Sequence, residues 1–320
     1  MMQVNSFISN FKKIIKVLIF LLLLIMFFYI FQEILIRKDD NYYKQKNIYS
    51  LKENSIDMFI IGSSHSNNGF IPKVFDDILG LNSYNMGKTG ARIEQVEFLL
   101  KEYLKKQSPK IVLIEGFSFT PIAKEHFKVL ANWAFDAFDF SLNKIQAIIS
   151  TTKSNRINHI FPLFEYHERW KILEKNDLQI NRKYNDINKG WGTSNKKLEK
   201  LDDWFNKNFS KENVIREINE SEKKALNNII KICKERNIKL YIVTLPYKYQ
   251  LEMNAHEMVK VNNYLIQNYG SNIKILDLNR EYIKNNTNSF EFIDEGHLNQ
   301  EGAYKYSRIV ANFIKMEEDK

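Results

Sequence analysis

The chain has 320 residues, 44% of them hydrophobic, with five Pro, eleven Gly and a formal charge of +9. That length can bury a full core once a membrane segment is set aside and suits one large domain better than two, while so few Pro and Gly leave little room for a flexible linker or low-complexity tail. The single Cys233 excludes an intramolecular disulfide and a CxxC metal site.

The first element is a membrane segment. From Val17 to Phe31 the run VLIFLLLLIMFFYIF holds no polar residue except Tyr29, and Ile14, Ile15 and Ile34 to Ile36 extend it. With Lys16 reaching back to the interface, residues 14–36 supply the roughly 20 residues a spanning helix needs. A cleaved signal peptide is the rival, but no Ala, Gly or Ser occurs between Phe31 and Ser50, so a small-residue cleavage site is missing. Lys12, Lys13 and Lys16 precede the run, whereas Arg37-Lys38 after it is offset by Asp39-Asp40. The lysine bias predicts residues 1–13 in the cytoplasm and everything after Arg37 outside: a single-pass protein of the cell membrane with an extracytoplasmic domain.

A polar stalk is expected over residues 37–56, followed by one domain over 57–320. Its candidate strands are Met58 to Gly62, Ser83 to Met86, Ile111 to Gly116, Leu240 to Leu245 and Ile273 to Leu278. Amphipathic helical patterns lie between or after them at Arg92 to Lys105, Ser221 to Arg236, His256 to Gln267 and Gln300 to Ile314. Alternation of this kind predicts an α/β fold, a parallel sheet sandwiched by helices, with active-site residues at the carboxyl ends of strands. Residues from about 117 to 220 break the rhythm. They show no convincing strand and are rich in aromatics, with Trp133, Phe135, Phe138, Phe140, Phe161, Phe164, Tyr166, Trp170, Trp191 and Trp204. A structureless loop of that length is implausible, so a mostly helical insertion over the active edge of the sheet is expected, its aromatics lining the site or forming a core of their own.

The chemistry concentrates at the two ends of this domain. The first strand runs straight into Gly62-Ser63-Ser64-His65. A serine on a strand-to-helix turn is exposed beside backbone N–H groups that can stabilise an oxyanion, although serines in such turns also serve as plain helix caps. At the far end, Asp294-Glu295-Gly296-His297 stands before the terminal helix. An acid three residues before a histidine can hold the imidazole in the tautomer that takes a proton from serine.

On these residues the chain resembles the SGNH/GDSL hydrolase superfamily. Gly62-Ser63-Ser64 matches its G-D-S block with serine in place of aspartate, and Asp294-Glu295-Gly296-His297 matches its terminal D-x-x-H. The block that supplies a glycine N–H looks like Asn85-Met86-Gly87-Lys88-Thr89-Gly90, with Gly90 favoured and Gly87 the alternative. The G-x-N block departs, because Gly116-Phe117-Ser118 carries serine where the asparagine donor belongs. The resemblance covers about 56–116 and 222–314. It implies a flavodoxin-like three-layer fold, a catalytic triad of Ser64, His297 and Asp294, and an oxyanion hole drawn from Ser64, Gly90 or Gly87, and Ser118. The anchor together with G-S-S looks most like the membrane-anchored group of teichoic-acid D-alanylation and polysaccharide O-acetylation proteins. That likeness implies an acylated surface polymer or glycan as substrate, a multi-pass membrane O-acyltransferase as partner beside the bilayer, and no nucleic acid. The alternative from another class is a non-catalytic anchored scaffold that binds a polymer or such an acyltransferase.

Weaker candidates remain. His65 either lines the site or caps the next helix. Tyr166-His167-Glu168-Arg169-Trp170 gathers groups suited to sugar stacking and anion holding, with His167, Arg169 and Trp170 as substrate-binding candidates against plain packing of a helix end. His126, His159 and His256 have no acid or cysteine at a ligand spacing, and no Walker loop, dinucleotide fingerprint or zinc motif occurs. No cofactor and no metal are therefore expected.

Overall fold

A computed structural model of the chain describes residues 2–119, 135–152, 155–179, 186–192, 194–198, 218–246, 252–280, 289–294 and 296–320. The chain begins with the long apolar helix α1 (Met2–Leu35), followed by the short α2 (Asp40–Asn47). Five strands follow: β1 (Met58–Ile61), β2 (Ser83–Asn85), β3 (Ile111–Glu115), β4 (Lys239–Thr244) and β5 (Lys274–Asp277). They form one parallel sheet in the order β2-β1-β3-β4-β5, the order of flavodoxin-like doubly wound sheets.

The central strands β1 and β3 are nearly continuous apolar runs because both faces of a parallel sheet are covered there. Every residue of β1 and β3 is buried. Helices α3 (Ser64–Gly69) and α4 (Pro72–Leu79) connect β1 to β2, and α5 (Ile93–Tyr103) connects β2 to β3. In the insertion lie α6 (Leu142–Thr151), α7 (Arg156–Ile160) and α8 (Pro162–Tyr166); then come α9 (Glu220–Glu235), α10 (Glu252–Tyr269) and the terminal α11 (Gln300–Glu318). Helix α4 packs against α11, and α5 against α9. Strand order reverses between β1 and β3, so the crevice at their carboxyl ends is the place where such sheets bind ligands.

Two parts of the chain differ from expectation. The segment expected to be a polar stalk is packed on the domain: Tyr42, Tyr43 and Ile48 are buried in the main core, together with Ile36 at the end of the preceding apolar stretch. The apolar helix α1 therefore runs directly into a segment packed on the domain. The insertion has no strand among its described residues and builds short helices and 3₁₀ turns. Its aromatics divide: Phe135, Phe138 and Tyr166 join the main core, whereas Phe140, Phe161, Phe164 and Trp170 stand at the surface.

Candidate active site

The chain leaves β1 through Gly62, where a side chain has no room: a Cβ there would lie 2.9 Å from the Cβ atoms of both Glu115 and Ser66. Ser63 then takes the cap position of α3, its Oγ accepting from the His65 N–H at 3.2 Å. Capping by Ser63 leaves Ser64, the first residue of the helix, with a hydroxyl free for another partner. That partner is His297, whose Nε2 lies 2.7 Å from Ser64 Oγ. Ser64 is only half-buried, so a substrate can reach it.

His297 is held from its other side. Its Nδ1 lies 2.9 Å from each carboxylate oxygen of Asp294. A carboxylate there fixes the proton on Nδ1, so that Nε2 accepts from the Ser64 hydroxyl. The local chain makes this pairing stiff: Asp294 Oδ1 also accepts the N–H groups of Gly296 at 2.9 Å and His297 at 2.8 Å, and Phe292 pairs with Leu298 across the loop. Burial raises the Asp294 pKa, but the bonds from the His297 ring and these two amides outweigh it and hold the carboxyl down at about 2. The acid is thus ionised throughout the neutral range.

The expected oxyanion donors are placed unequally. Gly90 sits in a turn closed by a bond from the Ala91 N–H to the Lys88 carbonyl, and its φ of +73° is the conformation that a type II turn reserves for glycine. No hydrogen bond within the described residues occupies the N–H of Gly90 or of Ser64. Gly87 is corrected: its N–H donates to Asn85 Oδ1 at 2.9 Å and is not free for a substrate. The cause is Asn85, which is buried and also donates to the carbonyls of Ser66 and Phe70, stitching the end of β2 to α3. Ser118 lies in the 3₁₀ turn Gly116–Phe119 after β3, 1% exposed, and its Oγ has no hydrogen-bond partner among the described residues.

Two supporting residues, Glu115 and Lys44, escaped the sequence reading, while His65 was among its weaker candidates. Glu115 closes β3 fully buried, its Oε2 accepting from the Phe117 N–H at 3.0 Å and the Ser63 hydroxyl at 3.3 Å. It therefore ties the turn of the serine to the turn of Ser118, and burial pushes its pKa up to about 8, so that it is mostly protonated at neutral pH. An acid ending an otherwise apolar strand, Ile-Val-Leu-Ile-Glu, was the available signal. His65, buried, stacks on Phe117 with ring centroids 3.7 Å apart and lies 4.8 Å from the His297 ring. Burial first, then proximity to His297, holds its pKa well below the usual histidine range, so it packs the floor of the site as a neutral ring. Lys44, from α2, is buried and reaches Asn67 Oδ1 at 2.5 Å and the carbonyls of Gly87 at 2.6 Å and Gly190 at 3.0 Å. Nothing in its polar sequence neighbourhood marked it.

The five-residue cluster of the insertion is not brought to Ser64. Arg169 instead donates to the carbonyl of Leu35 at 2.6 Å and to Asp177 at 2.9 Å, capping the end of α1. A helix end offers unpaired carbonyls to which a guanidinium is well suited. His167 Nδ1 lies 2.8 Å from the Phe164 carbonyl, Trp170 is exposed beside Lys171, and Tyr166 donates to Asp136. The part of the insertion that does border the site is 186–192, where Gly192 N–H donates to the Asn67 carbonyl and Trp191 Nε1 to the Asn68 carbonyl. Trp191 also walls a cleft of about 670 Å³ with Ile71, Val74 and Tyr304, at the far end of α3 from Ser64. Trp133, Trp204 and His126 lie outside the described residues.

No family model matches this chain, and no curated protein matches it in sequence.

Proposed function

We propose that the protein is an extracytoplasmic serine esterase or O-acyltransferase of the SGNH type, acting on ester groups of a surface polysaccharide or wall polymer. The observation that carries this reading is the unbroken chain from Ser64 Oγ to His297 Nε2 and from His297 Nδ1 to Asp294. Ser64 attacks the ester carbonyl while His297 takes its proton, and the imidazolium is stabilised by the ionised Asp294. The Ser64 and Gly90 N–H groups receive the developing oxyanion. Collapse of the tetrahedral adduct expels the alcohol, protonated by His297, and leaves an acyl group on Ser64. An incoming hydroxyl then gives its proton to His297 and attacks the acyl carbonyl, restoring Ser64. Water as acceptor makes the protein an esterase; a sugar hydroxyl makes it a transferase.

The location at the carboxyl ends of β1 and β3 and the packing of α1 onto the domain suit a substrate presented close to the bilayer. The lysine bias before the apolar run supports an orientation with that domain outside the cell. A membrane-impermeant fluorophosphonate applied to cells or spheroplasts tests both parts together. Labelling of the intact cells that is lost in Ser64→Ala is expected. Labelling only after lysis overturns the orientation, and no labelling in either case overturns the chemistry in favour of a scaffold.

A further inference from the structure

The insertion carries an apolar surface that the hydrolase reading leaves unused. Ile157 on α7, Phe161 at the α7–α8 junction and Phe164 on α8, with Trp170 and Ile172 in the following turn, are all exposed, Ile157 by 63% and Trp170 by 66%. Side chains of this size grouped on one short stretch mark a contact surface rather than ordinary surface scatter. Its place in the fold says what covers it. The Phe28 ring of α1 packs edge-on against Phe161 and Phe164, with centroids 5.9 and 6.3 Å apart. Within the apolar run from Val17 to Phe31 only Phe28 is shielded by the domain.

Depth follows from helix geometry. Glu33 is the first charged residue after that run, five residues beyond Phe28. At 1.5 Å per residue, Phe28 lies about 7 Å below it along the helix, inside the hydrocarbon. The rings touching Phe28 share that depth. Arg169 on the Leu35 carbonyl and the Lys38 ammonium on the Asp177 carbonyl at 2.9 Å lock the insertion to the end of α1, so the placement is fixed. Trp170 with Lys171 beside it is the residue pairing found where a protein crosses from acyl chains to headgroups.

We infer that α7, α8 and the turn to Ile172 form a second membrane contact, a wedge lying in the outer leaflet beside α1 with Phe161, Phe164 and Ile157 among the lipid acyl chains. The inference rests on the membrane span, not on the ester chemistry. It makes the anchor a platform: two contacts fix the tilt of the domain, and the α2 lysine carries that tilt to the site. The substrate class this favours is an acylated polymer held at the membrane surface.

The test uses the full chain reconstituted in phosphatidylcholine and phosphatidylglycerol vesicles. Emission of wild type minus that of Trp170→Phe isolates Trp170. Quenching of most of this emission by lipids bearing a nitroxide near the glycerol end of the acyl chain, with protection from aqueous iodide, is the expected result. Quenching by iodide without quenching by the lipids overturns the wedge, and is what a face reserved for a multi-pass protein partner would give in pure lipid. A second probe on Ile157→Cys in a Cys233→Ala background, labelled with a polarity-sensitive dye, should shift to the blue on reconstitution; an unshifted spectrum overturns the wedge independently. Fluorophosphonate labelling of the same vesicles separates the two proposals, since labelled Ser64 with an unquenched Trp170 removes the wedge alone.

Discussion

The Lys44 ammonium lies 2.6 Å from the Gly87 carbonyl, joining the segment just beyond the apolar helix α1 to the loop that follows β2. Its three acceptors, Asn67 Oδ1 and the carbonyls of Gly87 and Gly190, match the three donors of an ammonium. Asn67 is in α3, which begins with Ser64, so the segment after α1 and the helix of Ser64 share one buried polar joint.

Replacing Lys44 by Met strands these acceptors in the interior. Each buried polar group left unpaired costs about 1–3 kcal/mol, so a clear drop in unfolding midpoint is expected. The pH dependence gives a finer check. Burial lowers the Lys44 pKa from its ordinary 10.5 to about 7. Between those values the unfolded chain holds a proton that the folded chain lacks, so this group makes stability rise with pH. Urea unfolding of wild type and Lys44→Met at pH 7 and pH 10 should show the variant lacking part of that rise; parallel curves refute the assignment.

Glu115 has the opposite sign. Its pKa is raised from 4.5 to about 8, so its contribution is fully present below pH 4.5 and is lost as pH rises through about 8. Glu115→Gln keeps an acceptor for the Phe117 N–H and carries no titrating group. The variant should equal or exceed wild type in stability at pH 9 while losing the decline between pH 5 and 9. A variant whose decline matches that of wild type would show that Glu115 does not titrate there.

For the triad, Ser64→Ala and His297→Ala should each abolish fluorophosphonate labelling, with Asp294→Asn losing less. Residues acting as a unit lose on the order of 10³ or more in rate when any essential member is removed. Normal labelling of Ser64→Ala moves the nucleophile to Ser63 or Ser66.

Ser118 separates stability from catalysis. Its Oγ makes no hydrogen bond among the described residues, so Ser118→Ala should leave the thermal midpoint nearly unchanged. If the hydroxyl serves the oxyanion, ester hydrolysis falls by up to about 10²–10³, the usual cost of one donor, and Ser118→Asn raises turnover of small esters. Equal rates for all three proteins remove Ser118 from the hole.

Arg169→Ala tests the reassignment of that residue. Loss of the bond to the Leu35 carbonyl at the end of α1 should lower the unfolding midpoint and leave KM for a small ester as it was. A raised KM with an unchanged midpoint would return Arg169 to substrate binding.

Much of the fold was legible because its signals are local. Apolar runs at Met58, Ile111 and Leu240 and amphipathic patterns at Arg92, Ser221 and Gln300 report burial directly, and the strands and helices found there agree to within a few residues. Asp294 and His297 were legible as a pair for the same reason, since three residues of separation set their geometry. The helices α3 and α4 were not, because Ser64–Gly69 is too short and polar to show a period, and α4 spans barely two turns. Only tertiary structure decided the rest. A hydroxyl and an imidazole 233 residues apart meet because the sheet order sets β1 beside β3 and returns the terminal loop to the same edge. The engagement of the Gly87 amide by Asn85, the turning of Arg169 to the anchor and the burial of Lys44 depend on which unpaired polar group lies within reach. Composition and periodicity record how apolar a position must be; they carry no record of which hydrogen-bond partner will stand opposite it.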